Sequence, residues 1–207
     1  MTNFKSNSGF TLLEILIVAG IIVIISVPLS MFQRDVLVQN EMVQSGALAE
    51  EGVRTVLRKF GTELRTAAPA NTGSYLLESL GTSTITFYSD PNGDGLRDRI
   101  RYFLSGTSLK RGVVTPTGSP VVYVLANEKI STLTDNVINS TSTPIFSYYD
   151  ASYNGSSTPL TYPLSISNVR LVQISLGIDP NPNRPLAPIW LTSSVMIRNL
   201  KDNLKNN

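Results

Sequence analysis

The stretch Phe10–Phe32 reads FTLLEILIVAGIIVIISVPLSMF, an apolar run with a single charged residue, Glu14. As a helix its 23 residues would rise roughly 35 Å, against a hydrocarbon core of about 30 Å. From Ile15 to Phe32 there is no charge at all, so the run reads as a membrane span. Pro28 lacks an amide hydrogen and is expected to kink or loosen the helix locally. A secretory signal peptide competes with this reading. Its apolar region is usually about 7–15 residues long and ends in a small-x-small cleavage site. Here the run is longer and passes into Met31-Phe32-Gln33-Arg34, so a retained anchor is preferred.

On the N-terminal side, residues 1–9 (MTNFKSNSG) are polar, with Lys5 as the one cation and no Asp or Glu. The positive-inside rule then favours a cytoplasmic N-terminus. On the C-terminal side the helical pattern continues, with no Pro from Arg34 to Thr66. Val53, Leu57, Phe60 and Leu64 recur at three- and four-residue spacing and so share one face. Glu51, Arg54, Arg58 and Arg65 fall on other faces, and Val36, Val43 and Ala47 make a thinner earlier stripe. Gly46, Gly52 and Gly61 each weaken a helix by about 1 kcal/mol relative to Ala. Pro69 should end it. The helix is therefore placed at 10–68, with 10–32 in the membrane and 33–68 amphipathic. Its second half needs a cover.

The cover is sought in residues 69–207. Thr84–Ser89 (TITFYS) alternates and is rich in β-formers, Asp90-Pro91-Asn92-Gly93-Asp94-Gly95 is a dense turn signal, and Arg99–Leu104 (RIRYFL) alternates again. Ser105-Gly106 turns the chain into a third strand, Ser108–Val114, which makes a meander. Val121–Ala126 reads as a strand or as the lead into a short helix around Glu128–Ile138. Ile145–Tyr149, Val169–Ile178 and Trp190–Ile197 are further strands. Asp150–Pro163 and Asp179–Pro188 read as loops, the second too rich in proline for a central strand. The fold class is α+β: a long helix packed on a β-rich head.

Composition narrows the chemistry. The chain has 207 residues, a net charge of +2, no Cys and no His. Disulfides, thiol nucleophiles, Cys/His zinc sites and histidine acid/base catalysis are excluded. The few excess cations form no cluster, so there is no electrostatic case for nucleic acid. The acidic residues are scattered, with no catalytic carboxylate pair.

Gly9-Phe10-Thr11-Leu12-Leu13-Glu14, followed by an apolar run, resembles the processing signal of type IV prepilins and type II secretion pseudopilins. The resemblance implies a leader 1–9, cut between Gly9 and Phe10 by a membrane-bound prepilin peptidase, with N-methylation of Phe10. It implies that Glu14 meets the N-terminal amine of a neighbouring subunit when filaments assemble. It further implies other pilin or pseudopilin subunits, an inner-membrane platform protein and an assembly ATPase as partners. Location would be the cytoplasmic membrane, single-pass, with the head outside, and then the filament. The size, the strand-rich head and the absent disulfide pair look most like a minor pilin or a J-type pseudopilin. The single leader cation, Lys5, is fewer than the family often shows. No catalysis and no cofactor are expected, with calcium as the one open exception.

That exception is Asp90-x-Asn92-x-Asp94-Gly95, which fits the first half of a calcium loop, with Asp98 at the ninth place. The twelfth place is Arg101 instead of a bidentate Glu, and the loop lies between strands. An Asx- and Gly-rich hairpin turn is the preferred reading, with calcium kept open. Arg97, Arg99 and Arg101 read as a solvated strand face with Lys110 and Arg111 nearby, and Tyr148, Tyr149 and Tyr153 as core and rim. The rival function is an uncleaved bitopic protein whose extracytoplasmic head binds a ligand or calcium. In that case Glu14 would be incidental.

Overall fold

The structure is a computed structural model that describes residues 9–182 and 187–200. Residues 1–8 of the expected leader, part of the 179–188 loop and the last seven residues lie outside the described ones. The chain divides into two compact units, 1–44 and 45–207. One helix, α1, runs Leu12–Arg65 and continues through Pro28.

In the first unit the apolar face of α1 is exposed among the described residues. Its large apolar residues, from Leu12 at 83% to Phe32 at 65% relative exposure, stand open. Val36 and Val43 are exposed as well, so the thin early stripe has no cover among the described residues.

In the second unit the same helix is amphipathic. Val53, Val56, Leu57, Phe60 and Leu64 are buried, which is the face the spacing predicted. α1 ends at Arg65, four residues before Pro69, because other partners take over its backbone. The Ala68 amide donates to the Tyr88 carbonyl, and the Asn199 side chain donates to the Ala67 carbonyl.

Two antiparallel sheets supply the cover. The first is a meander in chain order: β1 (Leu77–Leu80), β2 (Thr84–Ser89), β3 (Asp98–Ser105), β4 (Ser108–Val114) and β5 (Lys129–Thr134). The second is β6 (Phe146–Tyr149), β7 (Leu171–Ile178) and β8 (Ile189–Met196), also in chain order. The architecture is the α+β one expected. β1 went unread because LESL is short and half polar. The helix suggested around Glu128–Ile138 is absent: Lys129-Ile130-Ser131-Thr132-Leu133-Thr134 pairs along β4 as β5, and only a turn of 3-10 helix, Leu125–Asn127, precedes it. β-branched Ile and Thr in alternation favour the strand.

Phe60 joins the layers. Its ring lies 5.1 Å from Tyr102 and 6.2 Å from Phe87, both edge-on, and 5.6 Å from Phe146. One helix residue thus touches the central strands of the first sheet and the first strand of the second. Tyr148 is core and Tyr149 nearly so, while Tyr153 packs on Tyr149 at the rim.

The arginine row is not a solvated face. Arg97 precedes β3, while Arg99 and Arg101 point outward between inward Ile100 and Tyr102. Arg99 and Arg101 are both ion-paired. Arg99 forks onto Glu78 at 2.6 and 2.7 Å, and Arg101 grips Glu128 at 2.8 and 2.5 Å, with its guanidinium 3.9 Å from the Phe103 ring. Glu128 occupies the space a side chain at Gly112 would need. Arg111 points the other way, under the helix. It donates to Glu63 at 3.0 Å and lies 2.8 Å from its second oxygen, and the Tyr102 hydroxyl donates to the same carboxylate at 2.7 Å. Burial, reinforced by that carboxylate, pushes the Tyr102 hydroxyl far above the usual tyrosine range.

Breaking one partner of a buried ion pair costs about 3–5 kcal/mol, since the other charge is stranded. Arg111→Met should therefore lower the urea midpoint of the detergent-solubilised protein by roughly 2 M, at about 2 kcal/mol per M. Adding Glu63→Gln should recover more than half, because the neutral amide still accepts from Tyr102. The chain has one tryptophan, Trp190 on β8, and its fluorescence reads both variants.

Candidate functional site

Gly9 and Phe10 precede α1 in extended or irregular backbone, and Thr11 is the residue just before it. Among the described residues no neighbour lies within 4 Å of where a side chain on Gly9 would begin, and Phe10 is 81% exposed. The helix start is a reciprocal box. The Glu14 amide donates to the Thr11 hydroxyl at 3.3 Å, and the Thr11 amide donates to a Glu14 carboxylate oxygen at 3.4 Å. This satisfies two of the amides that a helix N-terminus leaves orphaned. It also places a carboxylate at the positive end of the helix dipole. The Thr-x-x-Glu spacing before an apolar run could have been read from the sequence as this box. The expectation instead concentrated on the charge.

Phe10, Glu14, Ile15 and Val18 line a shallow, open depression of about 230 Å³. These residues follow one helix face, with Glu14 as its only charge. Beyond it the helix is long and apolar enough to cross a membrane, and its most apolar stretch is not buried. Within the span the polar groups are returned to the backbone: Ser26 donates to the Ile22 carbonyl at 2.5 Å and Ser30 to the Ser26 carbonyl at 2.8 Å. The arrangement exposes an apolar helix surface with one carboxylate near its end. A cation brought to Glu14 would find an acceptor there.

The Asp90–Gly95 turn lies in the other unit. Asp90 folds its own loop: one carboxylate oxygen accepts from the Gly93 and Asp94 amides at 2.7 and 3.2 Å, the other from Gly95 at 2.9 Å. Asp94 accepts from the Leu96 amide at 2.7 Å and from the Asn92 side chain at 2.8 Å. Gly93 and Gly95 sit at φ +72° and +87°, which suits glycine alone. Asp98 is apart from this shell, buried at the start of β3. Its Oδ1 has no hydrogen-bond partner in the structure. Burial pushes its carboxyl up and the Asp94 and Asp90 charges add to that, partly offset by Thr115, which hydrogen-bonds it, and Arg111. Among the described residues no three acidic side chains converge closely enough to share a metal ion.

Residues 4–30 match the family described as the prokaryotic N-terminal methylation motif. The match contains Gly9, Phe10, Thr11 and Glu14 and runs through Pro28. It supports a type IV pilin-like prepilin-peptidase substrate, and together with the apolar helix it fits a membrane-anchored protein. No curated protein matches the chain.

Asp98 gives the start of β3 a pH signature. A carboxyl whose folded pKa is raised contributes stability that is present at low pH and lost as pH rises through that pKa. Asp98→Asn mimics the protonated form. It should raise the urea midpoint near neutrality, with the gain gone below the ordinary Asp value of 3.8. The same titration tests the ion. If calcium raises the wild-type midpoint but not that of Asp98→Asn, the turn holds an ion through Asp98.

Proposed function

We propose that this chain is a structural subunit, a minor pilin or pseudopilin, of a membrane-anchored type IV pilus-like or type II secretion filament. The observation that carries the reading is a coincidence of two features. The processing motif matches at residues 4–30, and the helix it opens is uncovered and apolar, with Glu14 as the one charge between Phe10 and Phe32.

Cleavage between Gly9 and Phe10 leaves a positive α-amino group at Phe10, four residues ahead of Glu14. N-methylation retains that charge. In a bundle of apolar helices the lone carboxylate is costly unless a cation meets it. A charge pair in low dielectric is strong and position-dependent, so it sets the axial register between neighbouring helices. The capping box holds Glu14 at the helix start, where an amine from a neighbour can reach it. Before assembly the apolar surface of α1 is covered by lipid. Afterwards it is covered by other subunits, with a platform protein and an assembly ATPase driving the exchange. The head stays outside the membrane and supplies specificity. This role involves no catalysis.

Two experiments test it. N-terminal sequencing of protein from hosts with and without prepilin peptidase should show Phe10 as the first residue only when the peptidase is present. A start at Met1 in both hosts would favour the uncleaved bitopic rival. Glu14→Gln separates charge from capping, since Gln keeps the reciprocal cap and loses the carboxylate. It should block incorporation into filaments as fully as Glu14→Ala while membrane insertion stays normal. Incorporation restored by Gln would mean that the cap alone matters.

A further inference from the structure

The edge of a sheet offers unpaired amides and carbonyls, and proteins blunt it with short strands, charges, prolines, bulges or a covering segment. Among the described residues the two sheets of the second unit have four edges, and three are blunted. β1 has four residues and a register break against β2. β5 carries Lys129 and slips in register against β4. β6 has four residues, and the Leu160 amide donates to the Tyr148 carbonyl on its outer side. β8 has none of these devices. Its eight residues, IWLTSSVM, include no charge and no proline, and their register with β7 is unbroken. No strand pairs with its other side among the described residues. The Ser175 amide donates to the Ile145 carbonyl, so the odd-numbered residues of β7 face β6 and the even-numbered ones face β8. Val172, Ile174 and Leu176 are the partners of Val195, Ser193 and Leu191. The amides and carbonyls of Trp190, Thr192 and Ser194 therefore point to the open edge. A groove of about 370 Å³ lies there, with α1 as its other wall. Leu191, Thr192 and Ser193 all border it although successive strand residues point to opposite faces, so the wall is the edge of β8 and not one of its faces. Leu57 and Val195 give it an apolar floor, Arg54, Arg58 and Arg65 line the helix side, and none of its lining residues is acidic.

We infer that the open edge of β8 takes up an extended, acidic segment of a partner polypeptide as an added strand, lying between β8 and α1. The outward amides and carbonyls supply the attraction, and the groove receives every second side chain of the guest. Charge then chooses among guests. Arg54 is held by Glu50, and Arg58 also borders Glu63 and Asp90 across the ridge of α1, so the arginine row is partly compensated. Even so, every charge on the wall of this groove is positive, which opposes a basic strand and suits an acidic one. The β8 of a second copy is the other strand that fits the edge. It brings no acid, and it carries its own arginine row up against this one. Neither the processing motif nor Glu14 enters the argument, so the inference goes beyond the proposed function and holds equally for the uncleaved rival.

The probe is a fluorescein-labelled, amidated peptide of alternating Glu and Val, about as long as the eight residues of β8. Added to the full-length protein in detergent micelles, it should bind saturably, read by fluorescence anisotropy and by the emission of Trp190, which is exposed on β8. The Lys/Val counterpart should bind about tenfold more weakly at low salt, and the difference should shrink as salt rises. A fully N-methylated Glu/Val peptide has no backbone donor left and should not bind. Thr192→Pro removes one outward amide and spares the ladder to β7, as proline on an open edge can. It should abolish binding while the urea midpoint stays close to that of the native chain, whereas Thr192→Ala should bind normally. Equal binding of the N-methylated peptide, equal binding of the Lys/Val peptide at low salt, or no saturable binding of the Glu/Val peptide would overturn the inference. The native chain has no cysteine, so a Ser194→Cys variant reports on the remaining occupant. Bis-maleimide linkage between two such chains, at a yield the Glu/Val peptide does not lower, would assign the edge to a second copy and overturn it too.

Discussion

Phe60 is the point on which the second unit depends. A lone amphipathic helix cannot bury its apolar stripe, and a short meander cannot bury its inner face. Phe60 lets each serve the other by reaching Phe87 and Tyr102 in one sheet and Phe146 in the other. Both sheets present their inward residues to this helix. Gly61, one residue on, lies against Val195 of β8, whose Cγ2 is 3.6 Å from where a Cβ would stand. The burial of several large side chains around one ring carries the stability of the head.

Charge is used in two ways around that core. Inside, Glu63 is sealed under the helix and fully satisfied by Arg111 and Tyr102, which ties α1 to β3 and β4 in one orientation. An apolar trio would bury as well, yet it would not fix rotation about the helix axis so narrowly. Outside, Glu78–Arg99 and Arg101–Glu128 are cross-strand clamps on the far face of the same sheet. The Glu128 clamp also holds the chain entering β5 over Gly112, where there is no side chain to displace it. Arg99 and Arg101 therefore act in strand pairing.

The first unit follows a different rule. Its apolar side chains are exposed, and this is the surface that lipid and then neighbouring subunits would cover under the proposed function. The helix start makes the single carboxylate serve twice. As a cap it satisfies the Thr11 amide, and under the proposed function its charge would meet a neighbour's amine. Neither role hinders the other, since a carboxylate offers more lone pairs than one weak 3.4 Å bond consumes.

What the sequence determined by itself is whatever depends on local periodicity and spacing. The apolar run, the Val53-Leu57-Phe60-Leu64 face, the strand at Thr84–Ser89 and the one at Ser108–Val114 were all legible, because apolar spacing, β-branched and aromatic content and turn residues are local properties of the chain. The Asp90–Gly95 turn was legible through its glycines. Segment 129–134 was not, since an edge strand with four of six residues exposed shows no inward pattern. Glu63 falls three residues after Phe60 on the buried side, yet nothing local says what it meets. Only the tertiary structure brings Arg111 and Tyr102 to it, from positions 48 and 39 residues away. The same holds for the clamps of Arg99 and Arg101 and for the cleft between α1 and β8. Each needs two elements distant in the chain to meet. A sequence pattern states which face is buried, whereas the partner that buries it is set by packing the whole.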